Sequence, residues 1–174
     1  MRVMIVNPRF HLPIDTRTTP HLGLAYLAAV SEQRGDEVLL FDADVEDEPI
    51  TDVIRRYDPE IVGITANTPQ VKSAWRTAKA VKSIKDIPVV VGGPHVSVLP
   101  TESAKRPEVD VVARGEGEEV WVKLCAIVEN AKKANPNFTG SDLLDPQAGH
   151  LDGLLGISYF TTDSRMLRAW TIER

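Results

Sequence analysis

The sequence predicts an α/β fold with one doubly wound parallel sheet, because short β-branched runs alternate with segments of helical spacing. The predicted strands are residues 2–7, 37–42, 61–65, 89–92 and 110–113. Several of them are apolar without alternation, as strands covered by helices on both faces must be. We therefore expect about five strands in the flavodoxin-like order 2-1-3-4-5.

Helices are predicted between these strands. Residues 22–34 have a broad apolar face and end before Gly35, which suits a left-handed stop. The third helix has an apolar stripe from Val71 to Val81, and Thr68 with the proline after it is its predicted N-terminus. Shorter helices are expected near residues 50–57 and 101–105. A fifth helix follows the last strand and carries glutamates in its first turn, where the helix dipole favours them.

The alternation of strands and helices ends near residue 130. Residues 132–150 contain Asn-Pro and Asp-Pro pairs and two glycines, and are predicted to be a linker or surface loop. Residues 156–160 and 166–170, with a turn between them, have the pattern of a β-hairpin. A hairpin alone is marginal. We therefore expect a fragment of a longer protein, with a ligand-binding domain at residues 1–130 and a linker and hairpin at 131–174.

Composition and charge exclude several classes of protein. Of the 174 residues 43% are hydrophobic and 26% are charged, which is typical of a folded domain. No apolar run approaches the ~20 residues that cross a bilayer, and the N-terminus has no secretory signal, so a cytoplasmic location is expected. The net charge of −5 argues against a general binder of nucleic acids or anionic membranes. A single cysteine, Cys125, excludes an internal disulfide, a multi-cysteine zinc site and a self-contained iron–sulfur cluster.

Ligands of open parallel sheets bind beyond the carboxyl ends of the strands. In this sequence Gly92 and Gly93 follow a run of three valines and remove side chains where a bulky ligand would press on the main chain. A turn that needs positive φ explains Gly93 equally well. Thr65, Asn67 and Thr68 offer hydroxyl and amide groups at the same edge, although helix capping accounts for part of Thr68.

Several familiar chemistries lack their residues. The sequence has no Gly-x-x-x-x-Gly-Lys-Ser/Thr loop, and the Gly-x-Gly at residues 115–117 follows the last strand and lacks the third glycine of a dinucleotide fingerprint. Asn7 and Thr65 stand where a response regulator needs acidic residues. The ligand-side loops contain three histidines, His11, His21 and His95, without partners at metal-ligand spacing. No metal site within the chain is therefore expected.

Four segments at this edge occur in the order and spacing of one known family. They are Pro-His-Leu-Gly-Leu-Ala-Tyr-Leu-Ala from residue 20, Asp-Pro-Glu-Ile-Val-Gly-Ile-Thr from residue 58, Val-Val-Gly-Gly-Pro-His from residue 90, and Val-Asp-Val-Val-Ala-Arg-Gly-Glu-Gly-Glu from residue 109. Together they resemble the cobalamin (B12)-binding domain at the N-terminus of B12-dependent radical SAM enzymes. The resemblance covers residues 1–130, and the final hairpin resembles the connection into the catalytic barrel.

This resemblance implies that the strand ends face the corrin ring and that the nucleotide tail of cobalamin runs into the sheet past Thr65, Gly92 and Gly93. Cobalamin is thus the expected cofactor. A [4Fe–4S] cluster and S-adenosylmethionine are expected only in a covalently linked radical SAM barrel outside this chain. The residues expected to contact cobalamin, from the resemblance and from the loops at this edge, are Asn7, Pro20, His21, Gly23, Thr65, Asn67, Thr68, Gly92, Gly93, His95, Arg114, Gly115, Glu116, Gly117 and Glu118.

The sequence also departs from better-known B12 domains, in which the histidine of Asp-x-His-x-x-Gly ligates cobalt. With Gly23 on that glycine, Thr18 stands at the Asp position and Pro20 at the His position. Proline has no lone pair to donate, so we expect base-off cobalamin without a protein histidine on cobalt. His21 is one residue late and would need a loop shift. The motif Cys-x-x-x-Cys-x-x-Cys is absent, so this chain alone is not expected to catalyse radical chemistry.

Three functions remain open. The first is a cobalamin module of an enzyme that transfers a methyl group from methylcobalamin to an unactivated carbon, after a 5′-deoxyadenosyl radical has abstracted hydrogen. The second is a degenerate, non-binding scaffold in a radical SAM enzyme of another reaction, such as cyclisation. The third is a free-standing corrinoid carrier or sensor. The partners expected are cobalamin and the linked barrel, with neither nucleic acid nor membrane.

Overall fold

The computed structural model describes residues 1–10 and 21–161 and the backbone of residues 166–169, which contain one mixed sheet of seven strands. Along the sheet the strands lie in the order β2-β1-β3-β4-β5-β6-β7. The first five are parallel and the last two are antiparallel to their neighbours. The strands are β1 (Arg2–Asn7), β2 (Glu37–Asp42), β3 (Ile61–Thr65), β4 (Val89–Gly92), β5 (Val111–Ala113), β6 (Ile157–Phe160) and β7 (Met166–Ala169).

The predicted flavodoxin-like order 2-1-3-4-5 is therefore confirmed, and so is the C-terminal hairpin, which extends the sheet beyond β5. Asp110 precedes β5, although the sequence predicts it as the first residue of that strand. The turn predicted between the two hairpin strands lies outside the described residues.

Helices cover both faces of the sheet. They are α1 (Leu22–Gln33), α2 (Ile50–Tyr57), α3 (Val71–Ile84), α4 (Pro94–Val98), α5 (Pro100–Ala104), α6 (Glu118–Ala134) and α7 (Gly140–Leu143), with a 3-10 turn at Thr68–Gln70 before α3. In the part of the chain that the structure describes, none of the helices combines the length and the apolar character needed to cross a membrane.

Two helix starts differ from the prediction. Asn67, not Thr68, caps the turn before α3, because its side chain accepts the amide hydrogen of Gln70. The helix predicted near residues 101–105 is present as α5, but α4 precedes it without having been predicted. Pro94 and Pro100 each stand at the start of a short helix, where a missing amide hydrogen costs nothing.

Side chains of each buried strand alternate between two cores, one on each face of the sheet. Met4 and Val6 pack on the side of α2 and α3, whereas Val3 and Ile5 pack on the side of α1 and α6. All of these side chains are fully buried. The sheet is thus covered on both faces, as the runs without alternation predict.

The segment after residue 130 packs on the domain. Helix α6 continues to Ala134, and Thr139 closes a capping box with Asp142 at the start of α7. Residues 132–150, predicted as a linker or surface loop, and the residues just after them bury four apolar side chains in the core on the side of α6. These are Phe138, Leu143, Leu151 and Leu154. The turn signals in the sequence led to the prediction of a linker or surface loop, but the buried side chains show that the segment packs as part of the core. The domain boundary near residue 130 stays a prediction.

A buried ion pair lies where this segment crosses the amino edge of the sheet. Asp110, with 4% of its side chain exposed, lies 2.7 Å from Lys82 Nζ and accepts the amide hydrogen of Val89. Burial raises the pKa of Asp110 to about 6, because Lys82 and the amide of Val89 offset only part of the lost hydration. A Cβ at Gly140 would lie 2.7 Å from Asp110 Oδ2 and would also contact Lys82, so this glycine lets α7 cover the pair.

We predict that Asp110→Ala lowers the free energy of unfolding by about 3 kcal/mol, because it leaves a shielded lysine and a buried amide without this partner. Asp86 is the matched control, since it also binds Lys82 but has 41% of its side chain exposed. Asp86→Ala should cost no more than about 1 kcal/mol. Urea unfolding of both variants tests this, and equal losses would show that burial of Asp110 contributes nothing extra.

Candidate functional site

A cavity of about 220 Å³ lies at the carboxyl ends of β3, β4 and β5, between the sheet and helices α1 and α6. This is the edge at which open parallel sheets bind ligands. The cavity is lined by His21, Gly23, Leu24, Leu27, Gly63, Ile64, Thr65, Val90, Gly92, Gly93, Pro94, Ala113, Gly115, Glu116, Gly117, Glu118 and Trp121.

The cavity exists because the sheet presents small residues to α1 and α6 at this edge. On that face β3 carries Gly63 and Thr65, β4 ends with Gly92, and β5 ends with Ala113. A Cβ at Gly92 would lie 3.9 Å from its nearest neighbours, which belong to Ala113, an ordinary van der Waals distance, so a methyl group would fit there without a clash. Larger side chains at these positions would fill the cavity.

Trp121 forms the inner wall. Its side chain is 3% exposed, and its Nε1 donates a 2.8 Å hydrogen bond to Ser31 Oγ on α1. Ser31 in turn donates to the carbonyl of Leu27, at 2.9 Å. A Cβ at Gly63 would lie 2.9 Å from Trp121 Cη2, closer than packed carbon atoms approach. A glycine within β3 is thus required for the indole to lie against the sheet.

Gly93 has a different role from Gly92. It adopts φ +105°, and a Cβ there would lie 2.8 Å from the carbonyl oxygen of Ala66 and 3.0 Å from Thr65 Oγ1. The amide of Ala66 donates to the carbonyl of Gly92, and the amide of His95 donates to the carbonyl of Ala66. The loops after β3 and β4 are thus joined by hydrogen bonds between their backbones. The turn requirement that the sequence left open therefore explains Gly93, while Gly92 leaves room for a ligand.

Hydrogen bonds hold the mouth of the cavity in place. Ser97 Oγ donates to the carbonyl of Gly93 and accepts the amide hydrogen of Gly115, both at 3.0 Å, which joins the loops after β4 and β5. His21 caps α1, since its Nδ1 accepts from the amide of Leu24 at 3.4 Å. The sequence analysis did not identify Ser97 as a site residue.

The electrostatics of the mouth disfavour polyphosphates. Glu116 and Glu118 line it, and in the part of the chain that the structure describes no lysine or arginine lines the cavity. The N-termini of α1 and α6 also reach the mouth, but the two glutamates there repel the several negative charges of a nucleotide di- or triphosphate. The remaining walls are apolar side chains and glycine main chain, which fit a largely uncharged aromatic or aliphatic group.

The structure brings together most of the predicted contact residues around this cavity. They are His21, Gly23, Thr65, Gly92, Gly93, Gly115, Glu116, Gly117 and Glu118. Pro20 lies outside the described residues, as do Thr18 and His11. Five other predicted residues do not line the cavity, namely Asn7, Asn67, Thr68, His95 and Arg114.

These residues make structural contacts instead. Asn7 is buried, donates to Asp42 at 2.9 Å and accepts from Gln70 at 3.1 Å. His95 lies with Nδ1 3.3 Å from the hydroxyl of Thr68 and Nε2 3.4 Å from Glu102, the second contact being within ion-pair distance but without hydrogen-bond geometry.

The remaining two residues, Asn67 and Arg114, also make contacts within the fold. Asn67 caps the turn before α3, and the amide of Arg114 donates to the carbonyl of Gly156. Among the described residues, no group of three or more His, Cys, Asp or Glu side chains lies close enough together to hold a metal ion.

Sequence reasoning missed the apolar walls, which are Leu24, Leu27, Gly63, Ile64, Val90, Pro94, Ala113 and Trp121. One signal was available. Gly63 interrupts an otherwise β-branched strand, and a glycine inside a strand commonly marks a close approach. Nothing local in the sequence indicates that its neighbour is Trp121, which lies on α6.

A family model described as the B12 binding domain matches residues 16–124, which include the cavity. The chain belongs to the B12-binding domain family. This confirms the resemblance found in the sequence.

Curated relatives are longer proteins. An uncharacterized methyltransferase of Pyrococcus horikoshii is 34% identical over 167 residues, which cover 91% of this chain and 32% of the relative. An anaerobic magnesium-protoporphyrin IX monomethyl ester cyclase of Rubrivivax gelatinosus is 32% identical over 140 residues, 76% of this chain and 25% of the relative. The chain thus spans a third or less of the length of these relatives.

Solved structures share the fold. The radical S-adenosylmethionine methyltransferase TsrM from Kitasatospora setae, with cobalamin and a [4Fe-4S] cluster bound, superposes with a TM-score of 0.71 at 21% identity, over 99% of this chain and 29% of TsrM. The cobalamin-dependent S-adenosylmethionine radical enzyme OxsB, with aqua-cobalamin and S-adenosylmethionine bound, gives 0.71 at 20% identity, over 99% of this chain and 22% of OxsB.

We predict that Gly93→Ala destabilises the fold by about 2 kcal/mol, because a Cβ there is strained by positive φ and would clash with Ala66. Gly92→Ala should leave stability unchanged or raise it by up to ~1 kcal/mol, since its Cβ would make ordinary van der Waals contacts with Ala113. Thermal and urea unfolding of the two variants measures the difference. Equal destabilisation would mean that the neighbouring glycines do not have the separate roles assigned to them.

Proposed function

We propose that this chain is the cobalamin-binding module of a B12-dependent radical SAM enzyme, and that its cavity receives the nucleotide tail of cobalamin. The observation that carries the proposal is the cavity itself, formed by Gly63, Gly92 and Ala113 at the carboxyl edge of the sheet within the segment matched by the B12 family.

The lining residues fit this tail and not the whole cofactor. A volume of about 220 Å³ suits a flat bicyclic base with part of its sugar, whereas the corrin ring is too large to enter. Leu24, Leu27 and Trp121 supply apolar contact for the base. The Thr65 hydroxyl at the rim is available for a polar group of the tail. The corrin would then lie over the mouth, near His21 and Gly117.

We also propose that cobalamin is bound base-off, without a protein histidine on cobalt. A tail base that occupies the cavity is unavailable to cobalt. Pro20 stands where other B12 domains carry their ligand, and His21 accepts the Leu24 amide hydrogen at Nδ1, which puts the proton of the neutral imidazole on Nε2 and leaves that nitrogen without a lone pair for cobalt. These features leave the lower face of cobalt without an imidazole from the described residues.

For the parent enzyme we propose methyl transfer to an unactivated carbon, with the [4Fe–4S] cluster and S-adenosylmethionine in a linked barrel. Bound cobalamin would supply the transferable methyl group, and this chain would bind and orient it without catalysing the reaction alone. The Pyrococcus horikoshii relative, which is named as an uncharacterized methyltransferase, supports methyl transfer without indicating the acceptor atom. The cyclase of Rubrivivax gelatinosus favours the second candidate, a radical SAM enzyme of another reaction.

We predict that the domain binds hydroxocobalamin and that Gly92→Leu weakens binding by about tenfold or more, because overpacking a close contact costs ~1–3 kcal/mol. Ala29→Leu places the same leucine side chain on the exposed face of α1 and should leave affinity unchanged. Titration followed by absorbance, with thermal melts alongside, measures both. Absent binding by the folded wild type would favour the scaffold function, and full affinity in folded Gly92→Leu would reject the cavity as the tail site.

We predict that the Co(II) form of the complex shows no nitrogen superhyperfine splitting in its EPR spectrum, because neither the tail base nor a histidine ligates cobalt. His21→Ala should give the same spectrum as the wild type. Splitting that disappears in His21→Ala would identify His21 as the ligand. Splitting that survives the substitution would identify a base-on cofactor and contradict tail binding in the cavity.

A search of the coding sequence downstream of residue 174 separates the linked module from a free-standing corrinoid carrier. The motif Cys-x-x-x-Cys-x-x-Cys is expected there, because three thiolates hold a [4Fe–4S] cluster with one iron open to S-adenosylmethionine. A reading frame that ends without it would contradict the radical SAM assignment and leave cobalamin binding to be tested by the titration.

A further inference from the structure

We infer that Trp121 determines which corrinoids this domain accepts: its indole closes the deep end of the cavity and selects a tail that ends in an apolar bicyclic base the size of benzimidazole. The inference rests on the proposed function, since it assumes that the cavity receives the tail. It adds a specificity-determining residue and a ligand class to that function.

Trp121 is a rigid wall and not an adaptable one. The hydrogen bond from Nε1 to Ser31 Oγ fixes one edge of the indole, and the contact with Gly63 fixes the ring against the sheet. Both Trp121 and Ser31 are at most 3% exposed. Rotation of the indole would break a buried hydrogen bond and meet packed neighbours, so the depth of the cavity is set by this ring.

The deep end has no side-chain polar group to offer a ligand. The indole N–H is already used by Ser31, and the other residues there are Leu24, Leu27 and Val90. The strand amides and carbonyls beside Gly63 are paired in the ladders with the neighbouring strands. A purine base would leave its ring nitrogens and amino group unpaired, which costs binding energy, whereas a dimethylbenzimidazole loses little on entering.

The size limit follows from the same contact. Because a Cβ at Gly63 would already lie 2.9 Å from Trp121 Cη2, the ring has less than the width of a methyl group in which to retreat toward the sheet. A tricyclic base, one ring longer than benzimidazole, would meet the indole. The cavity therefore admits a bicyclic apolar base, gains aromatic contact with it, and rejects both longer and more polar tails.

Four corrinoids test this selectivity on the wild-type domain: cobinamide, which has no nucleotide tail, cobalamin, and cobamides that carry adenine or naphthimidazole. Affinities are measured by absorbance titration or calorimetry. We expect cobalamin to bind about tenfold or more tightly than each of the other three, the ratio given by ~1.4 kcal/mol of tail contact.

Two variants move the wall in opposite directions. Gly63→Ala should push the indole into the cavity and weaken cobalamin about tenfold while leaving cobinamide unchanged, because the tailless ligand does not reach the wall. Trp121→Phe should lengthen the cavity and bring naphthimidazolyl-cobamide to within about threefold of cobalamin. Ratios between ligands are used because they do not depend on the fraction of protein that is folded.

Trp75→Phe is the matched control. Trp75 donates an equivalent hydrogen bond, from Nε1 to Ser103 Oγ at 2.9 Å, but lies on the opposite face of the sheet. This variant should keep all wild-type ratios. If Trp121→Phe does not fold, the ratio of cobalamin to cobinamide affinity in Gly63→Ala alone tests whether the indole limits the cavity.

The outcomes separate the two proposals. A wild type that binds no corrinoid contradicts the proposed function. A wild type that binds cobinamide and cobalamin equally retains a corrinoid function but overturns the inference, because the tail then contributes nothing. Unchanged ligand ratios in folded Trp121→Phe and Gly63→Ala would also overturn it, since the indole would then not be the limiting wall.

Discussion

The candidate site depends on one packing constraint: the sheet presents only small residues where α1 and α6 cross the ends of β3, β4 and β5. Elsewhere on this face Val3 and Ile5 fill the space between sheet and helices. Beside Gly92 and Ala113 a cavity remains between the sheet and the helices, although interiors are normally packed as densely as organic crystals, and at Gly63 the indole of Trp121 takes the place of a side chain. Small residues at this edge of the sheet give up packing contacts that larger side chains would make. A bound ligand that fills the cavity would replace those contacts.

The rest of the structure keeps this cavity open. Trp121 is held by its hydrogen bond to Ser31, and its ring lies against the sheet at Gly63. At the mouth, Ser97 joins the loops after β4 and β5, and the backbone crossing at Gly93 fixes the first of them. Contacts within the protein thus hold the cavity walls in place, which lowers the ordering cost of binding.

The fold could be predicted in detail because its signals are local. Several β-branched strands have no alternation, and Gly35 marks the end of a helix through its own backbone preference. The edge of the sheet that carries the cavity was also predictable, since ligands of parallel sheets bind at the carboxyl ends of the strands. The helix cap was predicted one residue too late. Asn67 and Thr68 both carry a side-chain oxygen that can cap a helix, so the sequence alone does not show which of them does so.

What could not be predicted depends on contacts between distant segments. Gly63 and Trp121 belong to different strand–helix units, so neither predicts the other. Phe138 and Leu143 are apolar residues among turn signals, and only packing against α6 shows that they belong to the core. Asn7 and His95 are polar residues at the correct edge, but their hydrogen bonds inside the fold exclude them from the cavity wall.

The most direct test of the central claim is a nitrogen–proton NMR titration of the domain with hydroxocobalamin. Co(III) is diamagnetic, so shifts report contact. We predict that the amides of Gly63 and Gly92 and the indole N–H of Trp121 shift on binding, while the indole N–H of Trp75, on the other face of the sheet, stays unchanged. A saturable complex whose shifts leave Gly63, Gly92 and Trp121 unchanged would contradict the assignment of this cavity to the cobalamin tail.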